Sequence, residues 1–296
     1  MLAWTEANFC SVFIRLNLCM ARSRRRNGKC FFDHRFGDYG SRGDDRGYRV
    51  MPETPLTSYQ NPDFEPVPYY WVPEIELSAR LGHLTERNWL LGFKDVTAAT
   101  NERTTIFSTI PRVGVGHTAP LVFTDIPAAR IAALLGNLNA LTLDIFARSK
   151  VAGLHLTYGY LKQLPILPPS AYSQADLEFI VPRVLELTFT SHSMAPFAND
   201  LGYEGLPFAW NEGRRAQLRA ELDAWYALAY GLTRDELRYV LDPKDVMGAD
   251  YPSETFRVLQ KNEIAKHGEY RTQRLVLAAY DALVAQGMRP RVEGYR

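Results

Sequence analysis

The sequence predicts an α+β fold, in which a small mixed sheet with one long helix is followed by a helical subdomain. Three observations support this prediction. Short strand-like runs occur before residue 170, one long apolar run with helical spacing interrupts them, and only helical spacing follows. A proline-rich stretch at 164–169 separates the two patterns and marks the predicted boundary.

The strand-like runs are short, and glycine and proline lie between them. They occupy residues 89–96, 104–110, 120–124 and 154–161. Because glycine and proline favour turns and interrupt regular structure, these runs predict a small sheet with irregular connections.

The long helix is predicted from the apolar positions between Ile131 and Phe146, which recur at helical spacing. Pro127 suits the start of this helix, because its fixed φ angle is compatible with the first helical turn. The apolar positions continue without an obvious interruption, so we expect a single element here.

Further helices are predicted after residue 170, where local capping signals mark several starts. Asn211 is a candidate N-cap, and Thr233 with Glu236 has the spacing of a capping box. Ser253 is a candidate cap for a helix that ends at Gly268. We therefore expect the carboxy-terminal part to be wholly helical.

Residues 1–36 differ in composition from the rest and are interpreted as a disordered or foreign leader, with a DNA-binding arm as the alternative. They contain all three cysteines, Cys10, Cys19 and Cys30, and an arginine-rich run at 22–26. The cysteines fit a reducing cytoplasm and do not have zinc-type spacing. The basic run follows the apolar stretch, unlike a signal peptide, so we expect a cytoplasmic protein with no membrane partner.

The charge is unevenly distributed along the chain. A formal net charge of +1 excludes a globally basic nucleic-acid binder and leaves a local basic face open. Residues 91–170 hold seven Lys or Arg against four Asp or Glu, whereas 51–90 and 171–296 are net acidic. The block 91–170 is therefore the candidate region for contact with nucleic acid.

The sequence offers no catalytic, cofactor-binding or metal-binding residue that we would select. Gly114-Val115-Gly116 lacks the third glycine of a dinucleotide-type turn. Asn61-Pro62-Asp63-Phe64 departs at its third position from the Asn/Asp-Pro-Pro-Tyr/Phe tetrad that binds a flipped adenine. The histidines are scattered without metal-ligand spacing.

Several motifs occur in a fixed order between residues 93 and 272. They are Asn101-Glu102-Arg103-Thr104, Ile110-Pro111, Leu138-Asn139-Ala140-Leu141, Lys150-Val151-Ala152-Gly153-Leu154-His155, Leu161-Lys162-Gln163-Leu164-Pro165, Arg183-Val184-Leu185-Glu186, Asp235-Glu236-Leu237-Arg238-Tyr239 and Gly268-Glu269-Tyr270-Arg271-Thr272. With them, the chain from about residue 45 to 285 resembles the carboxy-terminal target-recognition region of type IIG-like and phage-defence restriction–modification adenine-specific DNA methyltransferases. The family has glycine where this sequence has Ala152.

The resemblance implies a DNA target-recognition domain at 37–169, a helical subdomain at 170–296, and sequence-specific binding of double-stranded DNA. The catalytic domain of the family has no counterpart in this chain. S-adenosylmethionine and the base-flipping chemistry are therefore expected in another domain or in a separate methyltransferase chain, and we expect no methyl transfer by this chain alone.

Candidate DNA-binding residues are selected from the motifs and the basic block. Asn and Arg make bidentate contacts to base edges, and Lys and Arg neutralise phosphates. The candidates are Asn101, Arg103, Thr104, Arg112, His117, Lys150, His155 and Lys162. Structural alternatives remain open: an ion pair of Arg103 with Glu102, histidines that satisfy buried backbone groups, and lysines that are simply solvated.

Three other functional interpretations remain open. The chain is one half of a split methyltransferase, a non-functional gene remnant, or a protein-interaction module of a phage-defence system. Salt-sensitive binding to DNA would distinguish the protein-interaction module from the DNA-recognition interpretation.

Overall fold

The computed structural model describes residues 54–66, 72–252 and 255–290. Within these residues the chain forms a three-stranded sheet and a larger set of helices, so the predicted α+β class is confirmed. The predicted leader at 1–36 and the predicted cap at Ser253 lie outside the described residues.

The sheet consists of β1 (Trp89–Phe93), β2 (Phe107–Pro111) and β3 (Leu121–Val122), in the order β2-β1-β3. Trp89 pairs with Pro111 and Phe93 with Phe107. Both strand pairs are antiparallel, so the expectation of a mixed sheet was wrong.

The run 154–161 does not form the expected strand. Only His155 forms an isolated antiparallel bridge, with Val96. The helix α5 (Tyr158–Leu161) follows, and the Thr157 side chain caps it by accepting a hydrogen bond from the amide of Tyr160. Local capping by threonine therefore favours a helical turn in a segment whose composition suggested a strand.

The predicted long helix is in fact two helices, α3 (Ala128–Leu138) and α4 (Leu141–Lys150), with a bend of 60° between them. The Asn139 side chain stabilises the break. Its Nδ2 donates to the carbonyls of Leu135 and Phe107, and its Oδ1 accepts from the backbone amide of Phe107. These bonds join the end of α3 to β2. An asparagine side chain that binds backbone groups competes with helix continuation.

Of the remaining helices, two precede β1 in the chain and the others follow α5. They are α1 (Leu56–Gln60), α2 (Glu74–Leu81), α6 (Gln174–Thr188), α7 (Ala195–Asp200), α8 (Glu212–Ala229), α9 (Arg234–Leu241), α10 (Pro243–Met247), α11 (Arg257–His267) and α12 (Arg271–Ala285).

The predicted capping signals are confirmed where they are described. The Asn211 side chain accepts from the amide of Arg214 at the start of α8, and Thr233 with Glu236 forms a full capping box at α9. Gly268 ends α11 in the left-handed conformation, with φ at 77°, a region that favours glycine.

One hydrophobic core connects the sheet with the carboxy-terminal helices. Trp89 and Phe93 of β1, Leu135 of α3, Trp225 of α8 and Leu283 of α12 all belong to the same buried cluster. Leu164, Ile166 and Leu167 of the proline-rich stretch also belong to it. The boundary between 169 and 170 stays a prediction, and the segments on its two sides share this core.

Across the described residues, no single helix is both long and apolar enough to cross a membrane. The pair α3 and α4 meets that length and composition only when the two bent helices are taken together.

Candidate nucleic-acid interface

The loop of residues 94–104, called loop 94–104 below, follows β1 and is hydrogen-bonded to the chain on both of its sides. The Asp95 amide donates to Thr118 O at 3.0 Å. On the other side, the Leu156 amide donates to Asp95 O at 2.8 Å, and the Thr97 amide donates to Leu154 O at 2.9 Å. Segments 116–118 and 154–156 therefore flank the loop.

Five of the predicted DNA-binding residues are exposed, and three of them lie on this loop or on its flanking segments. The five are Asn101, His117, Lys150, His155 and Lys162. Asn101 belongs to loop 94–104 itself, whereas Lys150 ends α4 and Lys162 follows α5. The short helix α5 is fixed to the sheet, because the Tyr158 hydroxyl donates to Leu121 O at 2.8 Å.

His155 is paired with a carboxylate rather than buried. Its Nδ1 lies 3.0 Å from Oδ2 of Asp95, and 56% of its side chain is exposed. Asp95 therefore orients the imidazole ring and leaves Nε2 directed away from this pair. The structural alternative of a histidine that satisfies a buried group does not describe this position.

Arg103 and Thr104, two of the predicted DNA-binding residues, are buried, which argues against direct contact with DNA. Arg103 is 4% exposed, and its Nη2 donates to Asn139 O at 2.8 Å. Its guanidinium forms ion pairs with Asp144 and Asp223, at 3.7 and 4.0 Å. The Thr104 amide donates to both carboxylate oxygens of Asp144, at 3.0 and 3.1 Å. Both residues therefore fix the end of the loop through contacts within the protein.

Arg112 lies at the opposite end of the sheet from Asn101 and does not join the other candidates. It follows Pro111, which pairs with the first residue of β1, whereas loop 94–104 follows the last. Its Nη1 donates to Thr85 O and Arg87 O, at 3.0 and 2.7 Å. This guanidinium therefore connects backbone segments at the far edge of the sheet.

Arg148, on the last turn of α4, was not selected from the sequence but is central to the geometry of the loop. Its Nη2 donates to Asn101 O at 2.9 Å and to Glu102 O at 2.8 Å. Its Nη1 donates to Ala99 O at 2.8 Å and to Thr255 O at 3.1 Å. Its spacing from Asp144 was a usable signal, because opposite charges four residues apart face each other on a helix.

Burial changes the pKa of Lys94, on loop 94–104, and of Asp223, which pairs with Arg103. Burial raises the pKa of Asp223 to about 6, while the nearby Arg103 and the hydrogen bond from the Leu141 amide act in the opposite direction. Burial also lowers the pKa of Lys94 below its usual value. Both shifts reflect the cost of holding a charge away from water.

A separate groove lies between α4, α9 and α10, with a volume of about 640 Å³. Its walls are largely apolar and include Ile145, Phe146, Leu232 and Tyr239, while Asp235 and Glu236 supply acidic groups. Contact with phosphates needs cationic or hydrogen-bond-donating groups. The charged groups that line this groove, Asp235 and Glu236, are both acidic, which is unfavourable for contact with phosphates.

Comparison of this chain with protein-family models, with curated proteins and with solved structures found no match. Among the described residues, no group of three or more His, Cys, Asp or Glu side chains is placed to hold a metal ion.

Proposed function

We propose that this chain recognises a specific sequence in double-stranded DNA, as the target-recognition part of a restriction–modification adenine DNA methyltransferase. The observation that carries the proposal is that three exposed, predicted DNA-binding side chains, those of Asn101, His117 and His155, lie on loop 94–104 and the segments bonded to it. The ordered series of motifs that resembles this family supports the same function.

In this proposal the exposed side chains have different roles. The Asn101 amide presents a donor and an acceptor that match the adenine edge in the major groove. Lys150 and Lys162 neutralise phosphates and fix the register of the protein on the duplex. His117 and His155 provide further hydrogen-bonding groups beside Asn101.

Methyl transfer has no part in the proposed role of this chain. S-adenosylmethionine and the flipped adenine would be bound by another domain or by a separate catalytic chain. The recognition surface would bring that catalytic unit to its site on bacterial or phage DNA in the cytoplasm. Recognition and chemistry are then separable properties, and recognition can be tested alone.

The first test measures binding of the full chain to duplex DNA of mixed sequence over a series of salt concentrations. We expect affinity to fall with salt, and the double variant Lys150→Ala/Lys162→Ala to reduce the logarithmic salt slope by about 2, which is about 1 for each lost phosphate contact. Lys266→Ala is the matched control, because this exposed lysine already pairs with Glu212 at 3.1 Å.

The second test selects preferred duplexes from a randomised library with the wild-type chain. We expect Asn101→Ala to lose about 1–3 kcal/mol on the selected site and to relax the preference at one base pair. A wild-type chain that shows neither salt-dependent binding nor enrichment contradicts the proposal and favours the protein-interaction interpretation.

A further inference from the structure

We infer that Arg148 is a positioning residue for sequence recognition, because it fixes the backbone of loop 94–104 and so determines where Asn101 lies. The part that concerns recognition rests on the proposed function, whereas the fixing of the loop rests on geometry alone. Three of the four carbonyl oxygens that accept from Arg148 belong to the loop: those of Ala99, Asn101 and Glu102.

The planar guanidinium suits this task. Each of its terminal nitrogens donates to two carbonyls, so one side chain joins backbone groups that do not bond to each other. A lysine ammonium is a single point donor and does not reproduce this fork. The contact therefore depends on the shape of arginine as well as on its charge.

Arg148 is itself held in place from two directions. Its Nε lies 3.3 Å from Oδ1 of Asp144, and the exposed fractions of the two side chains are 9% and 0%. Its guanidinium carbon lies 4.5 Å from the centre of the Phe256 ring. Asp144 also accepts from the Thr104 amide, so the Asp144–Arg148 pair contacts both the middle and the end of the loop.

The same contacts connect the loop to α11. Arg148 donates to the carbonyl of Thr255, two residues before that helix, and the Glu102 carboxylate accepts from the Asn262 amide within it, at 3.2 Å. The position of Asn101 therefore depends on a helix from the far end of the chain. A change at α11 would alter recognition without touching any residue that faces DNA.

Loss of the arginine fork should affect sequence discrimination more than general affinity. Lys150 and Lys162 lie outside loop 94–104, on α4 and after α5, so their contacts with phosphate do not depend on the loop. Asn101 is the predicted base contact that lies on the loop itself. The variant Arg148→Lys keeps the charge and removes the fork, which makes it the informative substitution.

The first experiment measures hydrogen exchange of the full chain without DNA. We expect amides in 99–104 to exchange about tenfold faster in Arg148→Lys, since charge-assisted hydrogen bonds restrain this backbone. Amides of α8 should be unchanged. Arg183→Lys is the matched control. Arg183 also donates to a backbone carbonyl, that of Phe179, stacks on the Phe179 ring and pairs with Glu221. It lies on α6, away from the loop.

Asn262→Ala provides a milder variant that leaves the buried charges intact. It removes the side-chain bond to Glu102 alone, and we expect a smaller increase of exchange in the same amides. Unchanged exchange in 99–104 for both Arg148→Lys and Asn262→Ala would overturn the inference.

The second experiment selects preferred duplexes from a randomised library with wild type, Arg148→Lys and Arg183→Lys. We expect Arg148→Lys to lose about tenfold in discrimination and to keep affinity for mixed-sequence DNA within about twofold. A loosened loop with unchanged discrimination would overturn the positioning role. Failure of the wild-type chain to enrich any sequence would instead overturn the proposed function, and the exchange result would stand.

Discussion

Arg103 and Asn101 show that two residues of one short motif can have opposite environments. Asn101 is exposed on loop 94–104, whereas the Arg103 guanidinium is enclosed by Asp144, Asp223 and the carbonyl of Asn139. Residue type indicates which chemistry is available but not whether a side chain faces solvent. The partners of Arg103 lie on α4, on α8 and between α3 and α4, so no local signal in the sequence identifies them.

A substitution of Arg103 should therefore change stability first. Arg103→Ala leaves the carboxylates of Asp144 and Asp223 without this buried cation, and loss of one partner from a buried charge pair costs about 3–5 kcal/mol. Urea unfolding at neutral pH checks the change. The exposed Lys162→Ala is the control, for which we expect a change within about 0.5 kcal/mol. A stable Arg103→Ala protein with altered DNA preference would contradict this role.

Asp223 should make stability depend on pH in an unusual direction. Its folded pKa of about 6 lies above its ordinary value of 3.8, so the folded state binds the proton more tightly than the unfolded state does. The resulting stabilisation is present below about pH 4 and is lost as the pH rises through 6.

The variant Asp223→Asn isolates this effect, because the amide oxygen can still accept from the Leu141 amide. Between pH 4 and 7, the free energy of unfolding of wild type should fall by about 1–3 kcal/mol relative to the variant. Unfolding curves at matched ionic strength measure the difference. Parallel pH profiles for the two proteins would show that Asp223 does not titrate differently in the folded state.

At the scale of elements, the predicted caps and the strand β1 were confirmed, whereas the strand predicted at 154–161 was wrong. The caps at Asn211 and Thr233 and the strand-forming composition of β1 are local, and the structure contains them. The break between α3 and α4 depends on bonds from Asn139 to β2, which lies earlier in the chain. Helical spacing continues across the break, and periodicity therefore predicted one helix.

The contact between α3 and α8 depends on a glycine that leaves room for a tyrosine hydroxyl. A Cβ atom at Gly136 would lie 2.8 Å from Oη of Tyr226, which donates to Ala133 O at 2.6 Å. Gly136→Ala should destabilise the protein by about 1–3 kcal/mol, although alanine favours the helix by up to about 1 kcal/mol.

A double-mutant cycle separates the steric effect from helix propensity. In the Tyr226→Phe background, which removes the hydroxyl, the cost of Gly136→Ala should be clearly smaller. Gly159→Ala in α5 is the control, because its Cβ would lie 3.5 Å from the nearest atom, an ordinary contact. Equal costs of Gly136→Ala in both backgrounds would exclude the clash as the cause.

For the whole molecule, the sequence predicted the α+β class, which is confirmed, and a boundary near residue 170, which stays a prediction. It did not show that the buried core continues through that point, because packing between distant segments leaves no trace in local composition. Trp89 illustrates this: it lies on β1, packs edge-on against Phe197 and donates its Nε1 to Asp200, and both partners belong to α7.

A shared core predicts one cooperative unfolding transition for the two segments. Tryptophan fluorescence and far-ultraviolet circular dichroism should give coincident urea curves, because neither segment retains its buried surface without the other. Two separated transitions, with the helical part persisting at higher urea concentration, would show instead that the predicted boundary at 169–170 divides independent folding units.

The bond from the Leu141 amide to Asp223 also constrains the timing of maturation on the ribosome. The two residues are separated by 82 positions. At about 5–20 residues per second, translation needs about 4–16 s to cover that interval. Throughout it, the nascent α4 segment lacks its acceptor, and Arg103 lacks one of its two counter-ions. The loop that carries Asn101 is therefore completed late, after most of the polypeptide has been synthesised.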